Sequence, residues 1–191
     1  MKKCLLIVGM QNDFSENGAL PVPGFSDIIQ GINKKIENYI SGDQIIMAAK
    51  DWHPKNHISF KDSTWDQSLQ GSLWPKHCIK NTHGAQLDNR LQLNKVGYEV
   101  TRGDDLMIGT YSVFKDANGN WNEDVKKIFE KEEIKEIEIV GVAGEYCIKH
   151  TSFDAAELGY EVFANQELIK YIDEANIEPT LNAFKEKLIK Y

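Results

Sequence analysis

Five short apolar runs punctuate the chain, at Cys4–Val8, Gln44–Ala49, Gly97–Thr101, Ile137–Val142 and Tyr160–Ala164. Each is bounded by turn-forming residues and has the length and β-branched content of a strand. Between the runs, apolar positions recur with the helical period. Phe25 to Ile40 places Ile28, Ile29, Ile32, Ile36, Tyr39 and Ile40 close to one face. Asp124–Glu132 and Glu145–Leu158 predict two further helices. Pro179 suits the opening of a last one, with Leu181, Phe184 and Leu188 on one face. Strands that alternate with helices imply parallel crossover units, and so a three-layer α/β fold. Little chain follows the last helix, so a sixth strand has room only at Leu188–Tyr191.

One stretch breaks this pattern. From Asp51 to about Asn94 the chain is rich in His, Asn, Ser, Trp and Gly and has little periodicity. Loops of that length inside a compact domain are usually functional. This one begins where the second strand ends, on the carboxyl edge where α/β sheets bind ligands. The loop Met10–Gly24 and the turn before Cys147 share that edge.

The totals narrow the class. A chain of 191 residues, 41% hydrophobic and 27% charged, suits one domain spanning residues 1–191. A net charge of −7 without a basic cluster argues against nucleic acid and anionic membrane as partners. Cys4, Cys78 and Cys147 make an odd count, which suits reduced thiols and a cytoplasmic location. The run Cys4–Val8 is too short for a signal peptide or a membrane span.

Within the long loop, Asp51, His53 and His57 fall inside seven residues, and Pro54 prevents the two imidazoles from sharing a helix. His77 follows in Trp74-Pro75-Lys76-His77-Cys78. A carboxylate with imidazoles suits one divalent transition metal, zinc, iron or manganese, with positions left open for water or substrate. Cys78 is an alternative soft ligand to His77. His83 and His150 have no partner by spacing and are read as structural.

The segment Ile137–Thr151 reads as a buried strand, a tight turn at Gly144 and a helix with Cys147 in its first turn. Unpaired N–H groups and the positive end of the helix dipole would favour its thiolate, the reactive form. The bland alternative is a small buried residue where helix meets strand.

Five segments in order resemble the nicotinamidase branch of the isochorismatase-like hydrolases: LLIVGMQNDFSENGALPVPG, AAKDWHPKNHISF, WPKHCIKNTHGAQL, TRGDD with YSVF, and GVAGEYCIKHTSFDAAELGY. The resemblance implies a three-layer αβα sandwich with a mainly parallel central sheet. It implies hydrolysis of nicotinamide to nicotinate and ammonia through a thioester on Cys147. Metal ligands would be Asp51, His53, His57 and His77. Backbone N–H groups of Ala143 and Cys147 would form the oxyanion hole, with a cis peptide between Val142 and Ala143. Phe14, Leu20, Trp74, Tyr111 and Tyr146 would line the ring pocket. A homo-oligomer is implied by the same resemblance.

The chain also departs from that family. Gly9 stands where the family's general base, an aspartate, belongs, and Arg102 stands where its catalytic lysine belongs. Arginine's planar fork is no direct replacement for an ammonium. Gly144-Glu145 replaces the usual Thr-Asp before the nucleophile. Asn165-Gln166-Glu167-Leu168-Ile169-Lys170-Tyr171 replaces an aspartate-containing loop. Three explanations arise: Asp13, Asp104, Asp105 or Glu145 supplies the base; the protein binds a metal and a nicotinamide-like ligand or protein partner without turnover; or Gly9 is an engineered change in an otherwise active enzyme. The expectation is a nicotinamidase-like amidohydrolase that is impaired or altered, with the non-catalytic binder as its alternative.

Overall fold

The computed structural model describes residues 2–65 and 73–191. Its sheet has five parallel strands in the order β3-β2-β1-β4-β5. These are β1 (Lys2–Val8), β2 (Ile45–Asp51), β3 (Tyr98–Arg102), β4 (Ile134–Val142) and β5 (Glu161–Lys170). Four α-helices accompany them: α1 (Ile29–Ser41), α2 (Glu123–Lys131), α3 (Lys149–Glu157) and α4 (Ile177–Glu186). The strands β1, β2 and β4 carry buried, largely apolar runs because both faces of the sheet are covered there.

Alternation along each strand divides the core in two. Cys4, Leu6, Val8, Met47 and Ile139 point to the side of α2, α3 and α4, where Val125, Phe129, Ala155 and Phe184 meet them. Leu5, Ile7, Ile46, Ala48 and Val140 point to the side of α1, where Ile29, Ile32 and Ile36 pack with Phe14, Phe25 and Leu87 from the loops. The result is the expected three-layer αβα sandwich. Among the described residues no helix is long and apolar enough to cross a membrane.

Several boundaries move. The helix expected from Phe25 starts as a 3₁₀ turn, Phe25–Ile28, before α1. Pro179 is the third residue of α4 and not its first; its missing N–H still falls in the turn that has no intrahelical acceptor. The strand expected to end at Ala164 continues to Lys170 through an irregularity, because its pairing with β4 resumes at Gly141↔Ile169. The segment Asn165–Tyr171, read as a loop, is therefore mostly strand. At the carboxyl end only one bridge forms, Phe163↔Lys190, rather than a sixth strand. Part of the long loop, residues 66–72, lies outside the described residues.

Candidate active site

The carboxyl ends of β1, β2, β3 and β4 surround a cavity of about 870 Å³. Cys147 lines it from the turn between β4 and α3, a five-residue π-helical turn, Gly144–Ile148. Ala143 enters that turn with a left-handed backbone, φ 60° and ψ 56°. No cis peptide occurs among the described residues, so the one expected between Val142 and Ala143 is trans. The left-handed residue supplies the chain reversal instead. Ala143 and Cys147 both border the cavity.

The five residues expected to line a ring pocket all border it as well: Phe14, Leu20, Trp74, Tyr111 and Tyr146. Three of them build an aromatic wall. The Trp74 indole N–H donates to the Tyr111 hydroxyl at 3.0 Å, and the Trp74 ring meets Tyr146 edge-on at 4.9 Å. Tyr111 also lies 5.4 Å from Tyr146. Such offset and edge-to-face contacts suit a wall for a flat ligand.

On the β2 side, donor atoms of Asp51, His53 and His77 lie within 4.8 Å of one another, and all three residues are buried. Backbone pairing explains the convergence of loop segments far apart in sequence. The His53 N–H donates to Cys78 O at 2.9 Å and the Lys80 N–H to His53 O at 2.9 Å. This short parallel bridge brings His77 beside His53, with ring centroids 5.1 Å apart. The strand end itself is pinned by buried Gln11. Its side-chain amide donates to Asp51 O at 2.8 Å and Ala85 O at 2.9 Å, and its carbonyl accepts the Asp51 N–H at 2.7 Å.

The tautomers follow from the acceptors, since a carbonyl can only accept. His53 Nδ1 donates to Gly103 O at 2.9 Å and His77 Nδ1 to Pro75 O at 2.8 Å. Each Nε2 keeps its lone pair, the arrangement that orients an imidazole toward a metal. Burial depresses the His53 pKa to about 3, against the opposing pull of Asp51, so that ring is neutral and ligand-ready at ordinary pH. The three residues therefore fit a divalent transition ion.

His57 stands outside this set. Its Nε2 meets Ile108 O at 3.2 Å and must carry the proton, while Nδ1 meets Ser59 Oγ at 2.7 Å. Its ring lies alongside His53, 4.5 Å between centroids, rather than converging on the same point. The sequence placed it among the ligands; hydrogen bonds to Ser59 in its own loop and to Ile108 after β3 occupy both nitrogens. Cys78 is no substitute for His77 either. It is fully buried in the core beside α1, and burial pushes its thiol well up.

The proton-transfer side differs from expectation. Gly9 does not border the cavity. It adopts φ +70°, and a Cβ there would sit 3.2 Å from Val142 Cγ2 and 3.7 Å from the Phe14 ring. Arg102 is buried behind Asp51, with Nε donating to Asp51 Oδ1 at 2.6 Å and Nη1 to Tyr111 O. Burial raises the Asp51 carboxyl, but Arg102, His53 and His77 outweigh it and hold the group below its usual range. Burial likewise opposes the Arg102 charge, which Asp51 more than restores.

The thiol is not the activated group that a helix start suggested. Cys147 is 7% exposed, and burial pushes its pKa up to about 11 although Arg102 pulls the other way. Desolvation here outweighs the field of one guanidinium that also serves Asp51.

A model of the Isochorismatase domain matches residues 3–185. The chain belongs to the isochorismatase family. It is 33% identical to the nicotinamidase of Escherichia coli, over 84% of this chain and 79% of that one. It is 36% identical to the nicotinamidase of Saccharomyces cerevisiae, over 97% of this chain and 95% of that one. The solved yeast nicotinamidase Pnc1p superposes with a TM-score of 0.90 at 33% identity, covering 98% of both chains. The pyrazinamidase of Pyrococcus horikoshii, solved in complex with zinc, superposes with a TM-score of 0.85 at 34% identity, covering 100% of this chain and 98% of that one.

The carboxylates weighed as stand-ins for a family base are all engaged elsewhere. Asp13 Oδ2 accepts the Cys78 N–H at 2.6 Å. Asp104 pairs with Lys80, and Asp105 Oδ1 accepts the Met107 N–H at 2.8 Å. Glu145 accepts the N–H groups of Ile172 at 3.2 Å and Asp173 at 2.8 Å. None of the four is among the described residues that border the cavity.

Titratable residues that the sequence does not assign to the site do border it, among them His150, read there as structural. Lys115 and Asp154 lie 3.9 Å apart, and His150 stacks on Tyr111 at 5.4 Å with 22° between rings. His150 is exposed at the cavity mouth. Partial burial, with Lys149 next to it, holds its pKa below the usual range. The signal was available: His150 lies three residues after Cys147, hence on the same side of the helix start.

Proposed function

We propose that the protein is a metal-dependent cysteine amidohydrolase acting on nicotinamide or a closely similar aromatic amide, with an altered route for the proton. One observation carries the reading: a cysteine at the turn after β4 faces the same aromatic-walled cavity as the cluster Asp51, His53 and His77. Similarity to nicotinamidases from a bacterium and a yeast supports it.

In this reading the Cys147 sulfur attacks the amide carbon, and fixed N–H donors at Ala143 and Cys147 hold the oxygen as charge develops. His150 takes the thiol proton and passes it to the departing nitrogen, so ammonia leaves and a thioester remains. Water then attacks the thioester, and His150 accepts its proton as the acid is released and the thiol reforms. A divalent transition ion held by Asp51, His53 and His77 would supply positive charge and an anchor for the ring, away from the reacting carbon. Arg102 lends its charge to the thiol from behind Asp51.

His150 is chosen because it is the cavity-bordering imidazole outside the cluster, neutral near pH 7 and so able to accept a proton. The test is ammonia release from nicotinamide by zinc-loaded protein, with Cys147→Ala as control. Release that persists in Cys147→Ala sinks the reading.

A second reading, a protein that binds such an amide without turning it over, is favoured by the buried thiol at about 11 and by Gly9. Saturable nicotinamide binding by calorimetry, with no ammonia released at any pH from 6 to 10, would select it.

A further inference from the structure

The irregularity on β5 and the turn carrying Cys147 form one packed unit. β4 and β5 pair in step from Glu136↔Glu161 to Ile139↔Ala164, then resume at Gly141↔Ile169 and Val142↔Lys170. β5 therefore advances five residues while β4 advances two, a bulge of three extra residues. The bulge delivers Tyr171, Ile172 and Asp173 across the head of β4, beside the turn.

Tyr171 is 6% exposed. Its ring occupies the space that a side chain at 144 would need: a Cβ on Gly144 would lie 2.6 Å from Tyr171 Cε1 and Cζ. Gly144 has no left-handed backbone to justify a glycine. The ring alone excludes a side chain there. The Tyr171 hydroxyl donates to Gln166 Oε1 at 2.8 Å, which ties the ring back to the bulge. From the other side buried Glu145 reaches the same segment, accepting the N–H groups of Ile172 and Asp173. Both residues between Ala143 and Tyr146 are thus gripped by residues 171–173.

Gly144-Glu145 and the chain segment at Tyr171, both departures from the family pattern by resemblance, are thus in direct contact. We propose that Tyr171 is a positioning residue for Cys147: its ring, seated on Gly144 and backed by the grip of Glu145, sets where the nucleophile turn sits in the cavity. Tyr171 touches no reacting atom in this account. Its effect passes through the turn, where a displacement of about 1 Å is enough to cost about 10²-fold in rate.

The experiment is a double-mutant cycle on full-length protein: Gly144→Ala, Tyr171→Ala, the double variant, and Tyr171→Phe. Two readouts are taken with a thermal melt of each protein. One is the rate of Cys147 alkylation by iodoacetamide, mapped by mass spectrometry. The other is kcat and KM for nicotinamide with zinc loaded, which rests on the amidohydrolase reading. Gly144→Ala is expected to slow alkylation about 10-fold and kcat about 10²-fold while KM changes little. The double variant is expected to recover most of that loss, and Tyr171→Phe to stay near the parent, since the ring and not the hydroxyl fills the space. Should Gly144→Ala fail to fold, recovery of a cooperative melt in the double variant supports the coupling equally. Gly144→Ala within twofold of the parent, or a double variant no better than Gly144→Ala, overturns the proposal. Absence of turnover in every protein sinks the amidohydrolase reading alone, because alkylation still decides the positioning.

Discussion

On the β2 side of the cavity, Asp51, His53 and His77 each have a second group holding them: Arg102, Gly103 O and Pro75 O respectively. On the β1 side, Gly9 offers no side chain, and the Asp13 carboxylate that follows β1 accepts the Cys78 N–H at 2.6 Å. One wall is thus braced side chain by side chain, while the head of β1 presents no carboxylate to the cavity among the described residues. The two walls meet at Gln11, which follows β1 and pins Asp51 at the end of β2.

The contrast can be broken experimentally. Cys147→Ala should lower ammonia release by about 10³-fold or more, while zinc content stays unchanged. A parallel loss of zinc would show the two walls to be one. Removing a ligand should do the reverse first. His77→Ala should retain no zinc after gel filtration, whereas His57→Ala should keep about one ion per chain, both read by elemental analysis. Equal loss in the two variants would restore His57 to the ligand set.

Smaller effects sharpen the same division. His150 has a lowered pKa, so its neutral form predominates at pH 7 and disappears as pH falls through a value below about 6.5. Turnover should fall along an acid limb below that value. His150→Gln should remove the limb and cut kcat about 10²-fold, as a pH–rate profile would report. Arg102→Ala leaves Asp51 buried without its cation, a loss of about 3–5 kcal/mol. Added zinc should raise the Tm of that variant more than that of the parent, since the ion replaces the missing charge. Gly9→Asp should cost about 1–2 kcal/mol for a left-handed non-glycine residue, seen in urea melts, without raising turnover by itself.

Much of this was legible in the chain. Apolar runs bounded by turn residues marked the five strands and the helical patterns marked the four α-helices among the described residues, and Asp51, His53 and His77 could be picked out because carboxylate and imidazole recur around Pro54 and Trp74. His57 reads as a ligand in DWHPKNH, where nothing shows that Ser59 and Ile108 meet its nitrogens. The helix-start position of Cys147 suggested an acidic thiol, whereas its acidity depends on how deeply the turn is buried. The β5 bulge was hidden because Asn165–Glu167 reads as polar loop, and only pairing with β4 makes it strand. Gln11 looked like a motif letter, yet its three hydrogen bonds pin Asp51 to the sheet edge.

Gly9 has a consequence for anyone who would install a base in this site. With its φ at +70°, the head of β1 holds a shape that glycine enters readily and other residues enter with strain. An aspartate placed there must bend the backbone as well as supply a carboxylate, with Val142 Cγ2 3.2 Å and the Phe14 ring 3.7 Å from its Cβ. A base is introduced with less strain on a side chain that already borders the cavity.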